Sequence, residues 1–227
     1  MALSGASRRR AVAIGSLALA SAFGVAMVVV RTVHTGNPDY RNLLWNLFLA
    51  WVPFVLALAV YDRHRRGGSR PLQLALAGLW LLFLPNAPYL LTDFMLLRRI
   101  GGVPLWYDVT MLTTFAWTGL LLGFISLYLV QIVVRRAYGA ALGWAAAVAA
   151  LGLSGFGIYL GRFQRWNSWD VLVDPARLAS DVWARVGDPV AYTRTLAVTL
   201  ALGVFLTLAY LVLYGFLDLA LEAEERR

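Results

Sequence analysis

The 227-residue chain reads as an all-α fold, a polytopic transmembrane bundle of about six helices. Its third helix is broken, and a short interfacial helix precedes the last span. Three observations predict this class. Hydrophobic residues make up 60% of the chain and charged residues only 14%, whereas soluble domains average roughly 25% charged. The apolar residues come in blocks close to the ~20 residues that a bilayer core requires. Arginines punctuate those blocks and gather in alternate short connections.

The first block, AVAIGSLALASAFGVAMVVV at 11–30, follows SRRR. It is longer than the roughly 7–15 apolar residues of a secretory signal and runs past the small-residue ASA at 20–22. An uncleaved first span is the better reading. Further spans are expected at 43–61, 72–97, 108–134, 140–161 and 191–217. Basic residues number 20, all arginine, and 11 of them fall in connections that share one side if the N-terminus is cytoplasmic. The positive-inside bias then places both termini in the cytoplasm of a cell (inner or plasma) membrane.

Boundary chemistry agrees with this division. NP at 37–38 and DP at 174–175 and 188–189 each put a capping side chain before a proline suited to a first helical turn. After Asp174, the positions Leu178, Val182, Trp183 and Val186 fall on one helical face. Trp166, Trp169 and Trp183 are then headgroup-level anchors of a short interfacial helix.

Composition also limits the chemistry. There is no cysteine, and His34 and His64 are the two histidines. Thiol catalysis and thiolate metal sites are excluded; no metal site and no cofactor are expected. The net charge of +8 suits a lipid bilayer with anionic headgroups as partner. No nucleic-acid-binding pattern is visible.

The stretch WLLFLPNAPYLLTDF at 80–94 carries the first candidate site. Pro85 and Pro88 disfavour helical geometry at their predecessors, and a break inside hydrocarbon needs protein or water around it. The break falls on the order of 20 Å from Pro71 at the helical rise, in the outer leaflet of the proposed orientation. Asn86 is expected to cap a second half-helix, 87–97, whose N-terminus could hold an anion. Asn86, Tyr89, Leu90 and Asp93 would share one face. An intramembrane carboxylate such as Asp93 is costly and reads as functional by default. The plainer alternative is a proline kink whose polar groups bond neighbouring helices.

The fourth span opens with PLWYDVT, placing Asp108 at the same membrane face, and the fifth ends in GFGIYLGRFQRWNSWD. Arg162 and Arg165, three apart, could present two guanidiniums to a phosphate or carboxylate. Asn167 and Asp170 extend this polar group; ordinary interfacial snorkelling is the alternative. Asn86, Tyr89, Asp93, Asp108, Arg162, Arg165, Asn167 and Asp170 are therefore the candidate substrate-binding residues, expected to converge on the outer leaflet. Asn42 and Asn46 could add contacts from the second span. Gly119 and Gly123, like Gly157 and Gly161, form small-residue pairs suited to close helix packing.

The motifs FLPNAPYLLTDF, PLWYD and GFGIYLGRFQRWNSWD resemble those of a bacterial integral-membrane family known as domain of unknown function 1361. The resemblance covers residues 40–218, leaving 1–39 as a basic N-terminus with the first helix and 219–227 as a charged cytoplasmic tail. It implies a membrane class and no activity or catalytic residue. Three functions compete. One is a binder or transporter of an anionic solute or lipid headgroup, which as a transporter would need a homodimer because no inverted repeat is visible. The second is a membrane-embedded enzyme on a lipid-linked substrate with Asp93 and Asp108 as acid and base. The third is an accessory subunit docking an unidentified membrane partner.

Overall fold

Proline and glycine divide the apolar chain into helices, and the computed structural model describes residues 5–97 and 102–225. The helices are α1 (Gly5–Thr35), α2 (Asn42–Arg65), α3 (Arg70–Phe83), α4 (Asn86–Tyr89), α5 (Leu105–Tyr138), α6 (Ala140–Phe163), α7 (Asp170–Val173), α8 (Pro175–Gly187) and α9 (Thr193–Glu225). A 3₁₀ segment, Leu90–Leu96, continues α4. Among the described residues there is no strand. Six segments are long and apolar enough to cross a membrane: Arg8–Thr35, Asn42–Arg65, Arg70–Leu96, Leu105–Tyr138, Ala140–Phe163 and Thr193–Phe216. Residues 226 and 227 of the expected tail lie outside the described residues.

Backbone contacts divide the chain into two compact units, Met1–Leu129 and Val130–Arg227. In the first, a core of Leu17, Val28, Leu43, Leu47, Ala87, Leu90, Met111 and Phe115 joins α1, α2, the α4 region and the first part of α5. Two indole N–H groups, one half-buried and one buried, meet their need for a partner in the same way. Trp51 Nε1 donates to Ser21 Oγ at 3.1 Å and Trp80 Nε1 to Ser126 Oγ at 3.2 Å. Each serine in turn donates to a carbonyl of its own helix, Leu17 or Gly123.

The third span is interrupted differently from the expectation. Leu84 and Pro85 keep right-handed helical dihedrals, so no half-helix restarts at an exposed N-terminus. The helix tightens instead. Ala87 N–H donates to Leu84 O at 3.1 Å, which leaves Phe83 O without its usual backbone donor. Asn86 Nδ2 fills that vacancy at 2.9 Å. The side chain thus serves a carbonyl freed when Ala87 N–H turns to Leu84 O rather than capping amides, and α4 has no side-chain cap hydrogen bond. The break abuts protein, as hydrocarbon demands. A Cβ on Gly119 would run into Ala87 O and Leu90, and one on Gly123 would lie 3.2 Å from Ala87 Cβ. The Gly119/Gly123 pair is therefore the bed on which Ala87–Leu90 packs.

In the second unit α6 and α9 approach through glycine. A Cβ on Gly155 would stand 2.6 Å from Thr199 O and 3.0 Å from Gly203 N. Asp174 caps α8, accepting from Arg177 N at 3.3 Å. The other two prolyl motifs close turns instead of helices: Asn37 Oδ1 accepts from Asp39 N and Asp188 Oδ1 from Ala191 N. Along α8, Leu178 and Val182 are half-buried while Trp183 and Val186 are exposed. An amphipathic helix with an outward apolar edge, held between two spans, suits the membrane interface.

Candidate functional site

Five of the polar side chains gathered at one end of the first unit are buried or half-buried within spanning segments. Arg31, near the end of α1, is 1% exposed, and Asp108, in the first turn of α5, is 2% exposed. Their contact is bidentate: Nε to Oδ1 at 2.7 Å and Nη2 to Oδ2 at 3.2 Å. The guanidinium also lies over the Tyr40 ring, 4.4 Å from its centroid. Tyr40 in turn donates its hydroxyl to Leu96 O, tying the α1–α2 turn to the end of the 3₁₀ segment. Tyr107, beside Asp108, donates to Met27 O at 2.8 Å. Among the described residues, Arg31 Nη1 finds no hydrogen-bond partner although it is buried.

Asp93 is fully buried, and Asn46 Nδ2 donates to its Oδ2 at 3.1 Å. This contact unites the second span with the interrupted third, the service anticipated for Asn46. Asn42 is exposed. Because residues 90–96 are 3₁₀, positions three apart eclipse; Leu90, Asp93 and Leu96 therefore share a side. Asn86, Tyr89, Asp93 and Asp108 all belong to this unit.

Arg162, Arg165, Asn167 and Asp170 belong to the second unit. α6 ends at Phe163, and Arg165 takes a left-handed conformation with φ 63°. That turn lets Trp166 N–H reach back to Leu160 O at 3.1 Å. Arg165 is thus off the helix, so the spacing of three does not pair it with Arg162. The Asp170 carboxylate folds onto its own turn, accepting from Asn167 N at 2.6 Å and Asn167 Nδ2 at 3.2 Å.

The centre of this polar loop is instead Asp181 on α8. It accepts from Trp166 Nε1 at 2.9 Å and pairs with Arg185 at 3.4 Å. The indole hydrogen bond first, then the nearby Arg185 and Arg177, hold its carboxyl below the usual carboxylate range against the opposing effect of burial. Arg177 lies over the Trp166 ring, Arg185 over Tyr192 and Arg194 over Phe163.

Arg31 and Asp181 are the residues that sequence reasoning missed. A span assigned to 11–30 left Arg31 outside, yet α1 runs four residues beyond it. The available signal was Asp108 itself, an intramembrane carboxylate that requires a counter-charge. Among the described residues, no three His, Asp or Glu side chains gather closely enough to hold a metal ion.

Six helices long and apolar enough to cross a membrane, with ion-paired and amide-bonded carboxylates buried in the first unit, define a multi-pass α-helical membrane protein. The chain belongs to the family described as Protein of unknown function (DUF1361), which matches residues 45–209. No curated protein and no solved structure matches it.

Proposed function

We propose that this protein is a binder or transporter of an anionic solute or lipid headgroup, engaged at the polar end of the first unit. The observation that carries the reading is the Arg31–Asp108 pair, with its unengaged Nη1 donor. A buried ion pair is weak support for stability, because well-packed apolar residues often serve as well or better. Charges retained inside a membrane span therefore point to a task. A guanidinium already oriented by one carboxylate and one aromatic face offers its remaining N–H groups to an oxyanion in a fixed plane. Asp93, beside Asn46, supplies the proton carrier or cation partner of the same reading, with Tyr89 about one turn and Asn86 about two turns before it. Arg162, Arg165, Asn167 and Asp170 serve as interfacial headgroup contacts. The arginine bias orients the Arg31 end outward in a cell membrane, with both termini in the cytoplasm.

A second reading draws on the closure of this network: Asp108 is held by Arg31 and Asp93 is bonded to Asn46. In an accessory subunit that closure would be structural, and a stable membrane partner would co-purify. Single cysteines separate the two readings, since the native chain has none. Leu91 is half-buried while Asp93 is fully buried, so static exposure alone predicts that Leu91→Cys labels faster. A binding site that opens to water predicts the reverse order with a membrane-impermeant thiol reagent on intact cells. Labelling of Asp93→Cys ahead of Leu91→Cys supports binding. Absence of labelling at 93, even with a permeant reagent, removes the binder reading and leaves the structural one.

A further inference from the structure

We infer that the turn between α5 and α6 holds the phosphate of an anionic phospholipid, at a site separate from Arg31. A cavity of about 310 Å³ is lined there by Ile132, Arg135, Arg136 and Ala140. That volume lies at the lower end of ligand pockets, enough for a phosphate and part of its glycerol but not for acyl chains. The two guanidiniums are prepared differently. Arg135 donates from Nη1 to the Tyr214 hydroxyl of α9. Its stem crosses Gly143, where a Cβ would come 3.2 Å from Cδ. Tyr214 is itself packed on Trp144, with ring centroids 4.7 Å apart. Arg136 is exposed, and among the described residues it makes no hydrogen bond or ion pair. One fixed arginine and one with open donors make a two-point clamp for phosphate oxygens.

One further feature favours an anion at this cavity. Gly139, before α6, provides no side-chain cap, so the amide hydrogens of the first turn, including Ala140, add partial positive charge. The surroundings select a lipid over a free ion. Tyr138 and Leu142, on either side of Gly139, are 69% and 56% exposed. Apolar side chains flanking a basic cavity at the end of a span are the surroundings that acyl chains occupy below a bound headgroup.

The test uses the full-length protein in detergent, with retained lipid counted by native mass spectrometry after titration with phosphatidylglycerol or phosphatidylcholine. Wild type is expected to retain phosphatidylglycerol and not phosphatidylcholine. Arg136→Gln removes an exposed charge without disturbing packing and is expected to weaken phosphatidylglycerol retention about fivefold, the weight of one basic residue near an anionic headgroup. Ala140→Leu fills the cavity with both arginines kept and should produce a loss of similar size. Equal retention of phosphatidylglycerol by wild type and both variants overturns the inference. Displacement of the lipid by millimolar inorganic phosphate would make the site one for a free anion and overturns the lipid assignment.

Discussion

Breaking the Arg31–Asp108 pair on one side should cost far more than removing it altogether. Both side chains are nearly solvent-free, at 1% and 3% exposure, and two nitrogen–oxygen contacts of 2.7 and 3.2 Å join them. Asp108→Asn keeps the shape but leaves a buried guanidinium without its counter-charge, an expected loss of about 3–5 kcal/mol. Arg31→Met combined with Asp108→Leu deletes both charges and should fall within about 1 kcal/mol of wild type, or above it. The molecule holds its own reference pair. Arg10 and Asp62 meet at 2.8 Å, but their side chains are 44% and 30% exposed, so Asp62→Asn should cost about 1 kcal/mol or less. Reversible unfolding in mixed micelles, followed by tryptophan fluorescence, measures all three variants on one scale. The reasoning is refuted if Asp108→Asn costs no more than Asp62→Asn, or if the double apolar variant is as damaged as the single one. A stable double variant that no longer binds an anion would separate what the pair does for function from what it does for folding.

Two further outcomes follow from the packing and the polar loop. Gly119→Leu drives a side chain into Ala87 O and Leu90 and should lower stability by about 1–3 kcal/mol. Gly15→Leu, at a position where an added Cβ would meet nothing within 4 Å, should be close to neutral in the same unfolding assay. Asp181 has a carboxyl pKa depressed by Trp166 and the nearby arginines. Its contribution is therefore present above the unfolded-state value near 4 and is lost as pH falls through the lower folded value. Acidification below about pH 4 should free the Trp166 indole, seen as a change in its NMR N–H resonance, and Asp181→Asn should remove that transition.

The legibility of this chain followed the length scale of each signal. Spans were readable because twenty consecutive apolar residues have few alternatives, and the six observed segments fall on the expected ones with ends shifted by a few residues. The interruption at Pro85 and Pro88 was readable because proline removes a donor wherever it stands. Its resolution was not, since the choice between a restarted helix and a tightened one depends on the room that Gly119 and Gly123 leave beneath Ala87. The same limit applied to Arg165. A spacing of three implies a shared face only while the helix lasts, and a single left-handed residue ended it. Asn46 could be proposed as a polar contact from its position, but its partner, 47 residues away, could not be read from any local pattern.

The displaced boundary of α1 carries the largest functional consequence. Read as an interfacial residue just past the span, Arg31 would snorkel toward headgroups and contribute little. Inside the span it is enclosed by Asp108 and Tyr40, and a charge so placed must be neutralised by protein or by a ligand. Asp108 meets two of its nitrogens and leaves Nη1. An incoming oxyanion could engage that donor without displacing Asp108. If so, binding should survive Asp108→Asn once folding is restored and fail in Arg31→Gln, whereas an anion that replaces the carboxylate should bind more tightly to Asp108→Asn. The ratio of the affinities of Asp108→Asn and wild type, measured on the same probe anion, therefore shows whether the pair is the site's scaffold or its gate.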